Sequence, residues 1–208
     1  MTKVCTNAAL YASLKHCAGT TVLPGIRNKV YAIQKSKIVT WPTLPKAGDT
    51  GTTSMGQLAT YVGDFTLAES AKWLSVDLVL ETGSLTWAEQ GEAPSKTILN
   101  TATLRHPEID ADAAAFAGQA LNDDLVFLVQ QRDGKFRVLG NEMFNTSVAP
   151  SGGTGEGVTG SDQGTSFTVT CTDLFPAPFY PGKIETEDGD ISGADGSPWS
   201  GDDDDDED

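Results

Sequence analysis

The sequence predicts a mainly β protein, an antiparallel β-sandwich or barrel with one flanking α-helix, and three observations lead to this prediction. Short runs of β-branched and aromatic residues recur along the 208 residues, 22 Gly and 10 Pro supply turns between them, and one segment has a clear helical period. Four Trp, eight Phe and four Tyr provide the large buried areas that a packed core needs.

The N-terminal part contains a predicted short helix, a strand region and a long loop. Residues 8–16 are interpreted as a helix that the Pro24-Gly25 turn closes off. Residues 27–41 are rich in β-branched and aromatic side chains, which favours one long strand, or two that are broken near residues 35–37. Residues 42–56 form a Pro-, Gly- and Thr-rich loop, longer than ordinary connections, and such loops are often functional.

Two further strands are predicted before the helix. Residues 72–82 alternate between apolar and mostly polar side chains, and residues 85–89 extend this strand beyond a turn at Gly83-Ser84. Residues 97–105 form a Thr-rich strand that ends before Pro107. The predicted apolar face of the first strand consists of Leu74, Val76, Leu78 and Leu80.

The helix is predicted over residues 109–121. Its apolar residues recur at helical spacing and make a single stripe, and Asp110 and Asp112 lie in the first turn, where carboxylates favour the positive end of the helix dipole. The stripe consists of Ile109, Ala113, Phe116, Ala117, Ala120 and Leu121.

A hairpin follows, with strands at residues 125–131 and 135–139. Asp133-Gly134 between them indicates a type I′ turn. Both faces of residues 125–129 are apolar, which predicts a strand that is covered on two sides and lies at the centre of the core.

The C-terminal part is predicted to change from a strand to a disordered tail. Residues 148–164 are interpreted as a Gly/Ser-rich loop and residues 165–173 as the last strand, after which Pro176, Pro178 and Pro181 end ordered pairing. Residues 185–208 hold twelve acidic residues and no Lys or Arg. We therefore expect one β-rich domain over residues 1–183 and a disordered acidic tail over residues 184–208, in which Trp199 is the one side chain suited to docking.

Two motifs suggest ligand sites at first, but their surroundings do not fit. Residues 155–160 read GxGxxG, yet a loop precedes them and a strand follows, whereas a dinucleotide site needs a strand before and a helix after. Residues 188–193 imitate the start of a calcium loop, but Trp199 stands where the closing carboxylate is required. Weak binding of divalent cations by the tail stays open, and a dedicated site is not expected.

The remaining reactive residues do not form a recognisable centre. Cys5, Cys17 and Cys171 lack the paired spacing of a zinc site, and His16 and His106 lie far apart in the chain. Asp77 and Glu81 lie on the polar face of one predicted strand, as in an ordinary solvated sheet. We therefore predict no catalytic, cofactor-binding or metal-binding residues, no cofactor and no enzymatic activity.

Charge and hydropathy restrict the partners further. The net charge is −15, and the chain without residues 185–208 carries 17 acidic and 14 basic residues, a net of −3. A sequence-specific nucleic-acid binder needs a basic stripe, so this class is not expected. No apolar run approaches the roughly 20 residues of a membrane span, and the first residues lack the apolar core of a secretory signal.

The second half of the chain resembles the tail tube (major tail) proteins of phages and prophages of Bacteroides-type bacteria. The resemblance covers residues 65–183 and rests on the helix, the strand after it, the segment DGKFRVLG at 133–140, the glycine-rich loop ending in DQG at 162–164, the strand TSFTVT at 165–170 and Pro-Ala-Pro at 176–178. It implies a β-sandwich akin to the tube protein of type VI secretion.

The resemblance also implies a function. Six copies would form a hexameric ring, and stacked rings would make a hollow conduit for DNA in the virion tail, assembled in the host cytoplasm with other tail proteins. By position, residues 42–56 match a loop that bridges rings, and residues 148–164 are a second candidate contact. The acidic C-terminal extension departs from the family pattern.

A second hypothesis remains open, namely an acidic decoration or DNA-mimic protein that binds a basic partner through its polyanionic tail. Hollow tubes or rings in electron micrographs favour the first hypothesis, whereas a persistent monomer that binds only basic partners favours the second.

Overall fold

The computed structural model describes residues 10–157 and 163–200. The elements are β1 (Ile26–Gln34), β2 (Ile38–Thr40), β3 (Thr66–Leu67), β4 (Leu74–Asp77), β5 (Ser84–Gln90), β6 (Thr97–His106), α1 (Ala111–Ala120), β7 (Leu125–Gln131), β8 (Phe136–Leu139), β9 (Thr146–Gly153), β10 (Gly164–Asp173), β11 (Phe179–Tyr180), β12 (Lys183–Thr186) and β13 (Gly189–Ser192). A short 3₁₀ turn at Lys35–Lys37 separates β1 from β2, which confirms the predicted break.

The strands form two main antiparallel sheets. One has the order β11-β8-β7-β1-β4, the other the order β5-β6-β10-β9, and β2-β3 and β12-β13 are two small ladders. The described chain is therefore mainly β with one α-helix, and the predicted fold class is confirmed.

The first core lies between the two main sheets. Phe127 and Val129 of the five-stranded sheet share it with Leu104 and Val169 of the four-stranded sheet, and each of these side chains is at most 1% exposed. The helix closes one side of this core, where the Phe116 ring meets the Phe167 ring edge-on with centroids 5.3 Å apart.

A second core lies on the other face of the five-stranded sheet. Val126 and Leu128 point into it and pack with Trp73, Phe65 and Ile184, which come from loops and from the β12–β13 hairpin. Since alternate residues of β7 enter different cores, this strand is buried on both faces, as predicted. The molecule thus has three layers: the four-stranded sheet, the five-stranded sheet, and a cover of loops and small hairpins.

Local interactions explain where the helix starts and how the β7–β8 hairpin turns. The Asp110 carboxylate accepts a hydrogen bond from the Ala113 N–H at 2.9 Å and so caps the helix. At the turn, Gly134 takes a positive φ of 99° and Asp133 does not. The Gly134 N–H donates to the Gln131 carbonyl at 3.0 Å. The turn is therefore a three-residue loop with glycine in the left-handed position, not the predicted type I′ turn.

The prediction of a disordered tail from residue 184 is wrong for residues 184–200. Ile184 is fully buried in the second core, and β12 pairs with β13. Lysines neutralise part of the negative charge, as between Lys183 Nζ and the Asp190 carboxylate at 2.8 Å. Trp199 is 38% exposed, and its backbone N–H donates to the Asp190 carbonyl. Ordered pairing also continues past Pro176 and Pro178 in β11, and residues 201–208 lie outside the described residues.

Three further predictions need correction. Residues 10–16 contain no helix, since a short helix needs a surface to pack on and Tyr11 and Leu14 contact none. The strand predicted over residues 72–82 ends at Asp77, because the chain crosses to the other sheet there and Val79 N–H donates to the Arg105 carbonyl. Leu80 is consequently exposed, and β5 starts a new sheet. Residues 146–153, placed largely in a loop, form β9.

Candidate assembly surfaces

The candidate reactive residues that the structure describes do not come together in a common site. Cys17 is exposed, Cys5 lies outside the described residues, and Cys171 is buried. Burial raises the pKa of the Cys171 thiol to about 12, which keeps it protonated and unreactive. The His106 ring nitrogen Nδ1 lies 2.8 Å from the Asp77 carbonyl oxygen, so this histidine links β6 to β4.

The carboxylates singled out by sequence make ion pairs. Asp77 and Asp188 both lie 3.9 Å from Lys29 Nζ, and Glu81 lies 3.8 Å from Arg132. Within residues 10–157 and 163–200, no group of three or more His, Cys, Asp or Glu side chains is arranged to hold a metal. The calcium-like segment, residues 188–193, forms the turn and strand of the β12–β13 hairpin. The end of the glycine motif at residues 158–160 lies outside the described residues.

The edges of the five-stranded sheet are short and covered. At one edge, β11 has two residues, and the Tyr61 N–H donates to the Phe179 carbonyl at 2.8 Å. At the other, β4 has four residues, and the Trp73 N–H just before it donates to the Glu185 carbonyl at 2.8 Å. Each edge is thus closed by another segment of the same chain.

The edges of the four-stranded sheet are longer and open. Strand β5 has seven residues and pairs with β6, and β9 has eight residues and pairs with β10. On their outer sides, the described residues provide no backbone partner for either strand. The Thr146 N–H at the start of β9 is bound by the Asp124 carboxylate at 2.8 Å. Two unpaired strand edges are ready-made templates for pairing with another chain.

The direction of the free backbone groups follows from one side-chain contact. Thr86 Oγ1 lies 3.3 Å from the Thr101 carbonyl oxygen, so this carbonyl faces β5 and the Thr86–Thr101 pair is a hydrogen-bonded pair. Because backbone direction alternates along a strand, the N–H of Trp87 points to the open edge. By the same alternation, the backbone nitrogen of Pro150 in β9 points to the open edge, but a proline nitrogen has no hydrogen to donate.

The outer face of the four-stranded sheet is likewise not covered by any described segment of the chain. We call it the hydroxyl face, because Ser and Thr dominate the side chains that point away from the first core. It consists of Ser84, Thr86, Ala88 and Gln90 of β5, Thr97, Leu99, Thr101, Thr103 and Arg105 of β6, Ser147, Ala149 and Ser151 of β9, and Ser166, Thr168, Thr170 and Thr172 of β10.

Most side chains of residues 11–24, which precede β1, do not pack on the rest of the described chain. In residues 10–24, Tyr11 is 92% exposed, Leu14 90% and Val22 76%. A hydrogen bond from the Thr20 N–H to the Cys17 carbonyl at 3.1 Å makes one local turn. Residues 1–25 contain two Lys and no acidic residue, unlike the rest of this acidic chain. Exposed apolar side chains in such a cluster are typical of a segment that packs against a partner.

A groove lies under the start of the long loop. It has a volume of about 580 Å³ and is lined mainly by apolar side chains, among them Trp41, Leu44 and Phe175, with Met143 and Leu174 exposed at its rim. Asp173 at its base is 3% exposed and accepts hydrogen bonds from Asn141 Nδ2 and from the Leu174 N–H. Burial raises the pKa of this carboxyl, although these hydrogen bonds oppose the shift.

The long loop itself is more organised than its composition suggests. Thr43 and Val62 exchange two backbone hydrogen bonds, and the Asp49 carboxylate accepts from the Lys46 N–H at 2.7 Å. Gln57 accepts from the Ser54 N–H at 2.9 Å in a capping box. Turns and a capping box therefore order much of residues 42–56, although this segment buries few apolar side chains.

Comparisons with family profiles, curated proteins and solved structures find no match to this chain. None of the described helices is long and apolar enough to cross a membrane. The open edges of β5 and β9 were missed by sequence reasoning, because pairing partners cannot be read from residue types. One signal was available: β5 contains no Pro and no Lys, two of the residues that natural sheets use to protect an edge.

Proposed function

We propose that this protein is a structural subunit that assembles with copies of itself into the tail tube of a phage. The observation that carries the proposal is the four-stranded sheet, whose two long edges lack a partner within the described chain. In the proposed ring, the β5 edge of one copy lies beside the β9 edge of the next. This contact joins two different surfaces, so repeating it either closes a ring or continues as a filament.

Closure explains why such edges are tolerated, because a closed ring of strands has no edge left to aggregate. Pro150 interrupts the β9 edge at one point, so a neighbour that pairs there lacks one hydrogen bond. The unpacked segment before β1 and the long loop supply further contacts, and many weak contacts around a ring add up. The resemblance to tail tube proteins gives the assembly its role: a conduit for DNA in the virion tail, in contact with other tail proteins.

The test uses the full-length chain and two substitutions at one residue. Trp87→Pro removes the N–H that points to the open edge, whereas Trp87→Ala removes the ring and keeps the N–H. We expect rings or tubes from the wild type and from Trp87→Ala in negative-stain electron micrographs, and a monomer from Trp87→Pro in sedimentation. Circular dichroism and urea unfolding check that all three proteins fold.

Two outcomes count against the proposal. Assembly of folded Trp87→Pro to the wild-type extent excludes pairing through the β5 edge. A wild-type protein that stays monomeric at every concentration, and binds basic partners through residues 201–208, favours the decoration or DNA-mimic hypothesis.

A further inference from the structure

The groove under the start of the long loop has one wall that aromatic packing holds in place. The Trp41 ring meets the Phe65 ring edge-on with centroids 5.3 Å apart, and the Tyr61 ring lies 6.4 Å from the same Phe65 ring. Thr43 and Val62 exchange backbone hydrogen bonds of 3.0 and 2.9 Å, which fix the chain that carries these rings. This side of the groove is therefore formed within the subunit itself.

Asn141 holds the opposite wall. Its Nδ2 donates to the Thr172 carbonyl at 2.8 Å, and its Oδ1 accepts from the Met143 N–H at 3.0 Å and from the Phe144 N–H at 2.7 Å. These bonds fasten the connection between β8 and β9, which includes Glu142, to the end of β10. Ligand sites are largely preformed in this way, and the volume of about 580 Å³ lies within their usual range.

Two carboxylates face the same part of this groove. Burial raises the pKa of the Tyr61 hydroxyl, and the charges of Asp173 and Glu142 raise it further, so both carboxylates act on one place. Asp173 is 3% exposed, and its hydrogen bonds come from neutral donors, the Asn141 amide and a backbone N–H. Among the described residues, neither carboxylate makes an ion pair with Lys or Arg, and this includes the exposed Lys46 of the lining. Since a buried charge is usually paired, the groove suits a cation from outside the subunit.

The rest of the lining restricts the kind of cation. Trp41, Leu44 and Phe175 supply aromatic and aliphatic surface. A hydrated metal ion would have to lose water against these apolar walls, which Mg²⁺ in particular does reluctantly. An alkylammonium ion fits both parts of the groove, because its methylene groups pack on apolar surface and its charged head is attracted to aromatic faces and carboxylates.

We propose that this groove binds a small linear diamine or polyamine. The methylene chain lies along Trp41, Leu44 and Phe175, and the ammonium groups pair with Asp173 and Glu142. Two carboxylates favour a ligand that carries more than one ammonium group on a slim chain, whereas a lysine side chain of a partner protein offers one. The site lies within a single subunit and does not depend on the proposed ring.

The test titrates the full-length protein with cadaverine, a linear diamine, and with pentanediol, which has the same chain length and no charge. Isothermal titration calorimetry at moderate salt measures Kd and stoichiometry. Asp173→Asn and Glu142→Gln each remove one charge from the groove, and Glu69→Gln removes one from an exposed position outside it as a matched control. A chain that ends at residue 200 lacks the acidic run at 202–208, which attracts any cation.

We expect one cadaverine per chain, no binding of pentanediol, and an affinity about tenfold weaker in each groove variant, because each loses one charge-assisted hydrogen bond. Glu69→Gln and the chain that ends at residue 200 should bind cadaverine as the wild type does. Circular dichroism checks the fold of every variant, and Glu142→Gln alters an exposed side chain and so keeps the test valid if Asp173→Asn does not fold.

Three results would overturn the proposal. Binding that survives both groove variants, or that disappears with residues 201–208, would assign the diamine to the acidic surface. Equal binding of pentanediol would reduce the groove to an apolar cavity. Absence of cadaverine binding would exclude a free amine, and a carbodiimide cross-link from Glu142 to a lysine of a second copy would then identify a neighbouring subunit as the occupant.

Discussion

The five-stranded and four-stranded sheets share one core but differ in what covers their remaining surfaces. The five-stranded sheet is buried on both faces, and segments of the same chain close its edges. The four-stranded sheet is buried on one face and has two long open edges. The first is therefore complete within one subunit, whereas the second gains partners only from outside. If the proposed assembly is correct, stability and assembly depend mainly on different sheets, and substitutions should separate the two.

The largest effect should come from removing the cover of the five-stranded sheet. Deletion of residues 182–208 removes Ile184, exposes Trp73, and takes away the Lys183 carbonyl to which the Tyr180 hydroxyl donates at 2.6 Å. Losses of buried side chains add up to about 5 kcal/mol, which is comparable to the whole stability of a small domain. We expect an unfolded or loosely packed protein by circular dichroism.

Deletion of residues 201–208 is the matched control and should leave the urea midpoint unchanged. If the longer deletion also keeps the wild-type midpoint, the packing of the β12–β13 hairpin on the second core does not contribute to stability.

The next effect contrasts the two sheets directly. Phe127→Ala removes a ring that is 1% exposed in the first core and should cost about 3–5 kcal/mol of unfolding free energy. Thr103→Ala on the hydroxyl face should change it by less than about 0.5 kcal/mol, because no core contact is lost. Urea unfolding of both variants measures the contrast. Comparable losses would mean that the outer face of the four-stranded sheet is covered within the subunit.

The sequence predicted the elements whose signals are local. The doubly apolar β7 and the alternation of Phe167, Val169 and Cys171 in β10 follow from the residues themselves, and both are confirmed. The stripe on α1 is confirmed for Ala113, Phe116, Ala117 and Ala120, whereas Leu121 lies beyond the end of the helix and is 58% exposed. Elements that depend on distant partners were missed. Strand β9 has the composition of a loop but is ordered by pairing with β10. Strand β12 has the composition of a charged tail but is ordered because Ile184 packs into the second core.

The candidate surfaces were less accessible to sequence reasoning. The long loop was recognised from its length, but the open edges, the groove and the hydroxyl face depend on which strands become neighbours. The Thr residues of β6 and β10 were visible in the sequence, yet their rows exist only in the observed register.

A smaller effect concerns pH and the inner face of the four-stranded sheet. Asp173 is buried at the groove, and its folded-state pKa lies above the unfolded value of 3.8. The folded protein therefore binds this proton more tightly than the unfolded chain does. As pH rises from acid through the folded pKa, Asp173 lowers the free energy of unfolding by an increasing amount. Asp173→Asn should thus gain stability relative to the wild type as pH rises from 3 towards 7, by less than the Phe127→Ala loss.

Urea unfolding of wild type and Asp173→Asn across this pH range gives the difference, in which the other carboxyl groups cancel. A difference that does not change with pH, or that decreases as pH rises, would mean that the hydrogen bonds from Asn141 and Leu174 outweigh the burial of the charge.

The smallest effect on stability should come from the tip of the long loop. Trp41 and Leu44 at its start pack against the second core, whereas Asp49, Thr50 and Gly51 are exposed. Deletion of residues 47–52 loses the Lys46–Asp49 turn and no buried side chain, so the thermal midpoint should stay nearly unchanged. If the tip bridges stacked rings, the deletion variant should form rings without long tubes.

Replacement of residues 47–52 by a Gly/Ser segment of the same length distinguishes the length of the loop from its specific residues. Stacking should return if only the length matters, and should not return if the neighbouring ring contacts the turn at Asp49. Hydrogen exchange supplies a second measurement, in which the tip should exchange rapidly in the free subunit and slowly in tubes. Long tubes from the deletion variant, or a tip that is already protected in the monomer, would remove the loop from the stacking contact. The open edges of β5 and β9 would still account for rings, because they lie on the other sheet and do not depend on this loop.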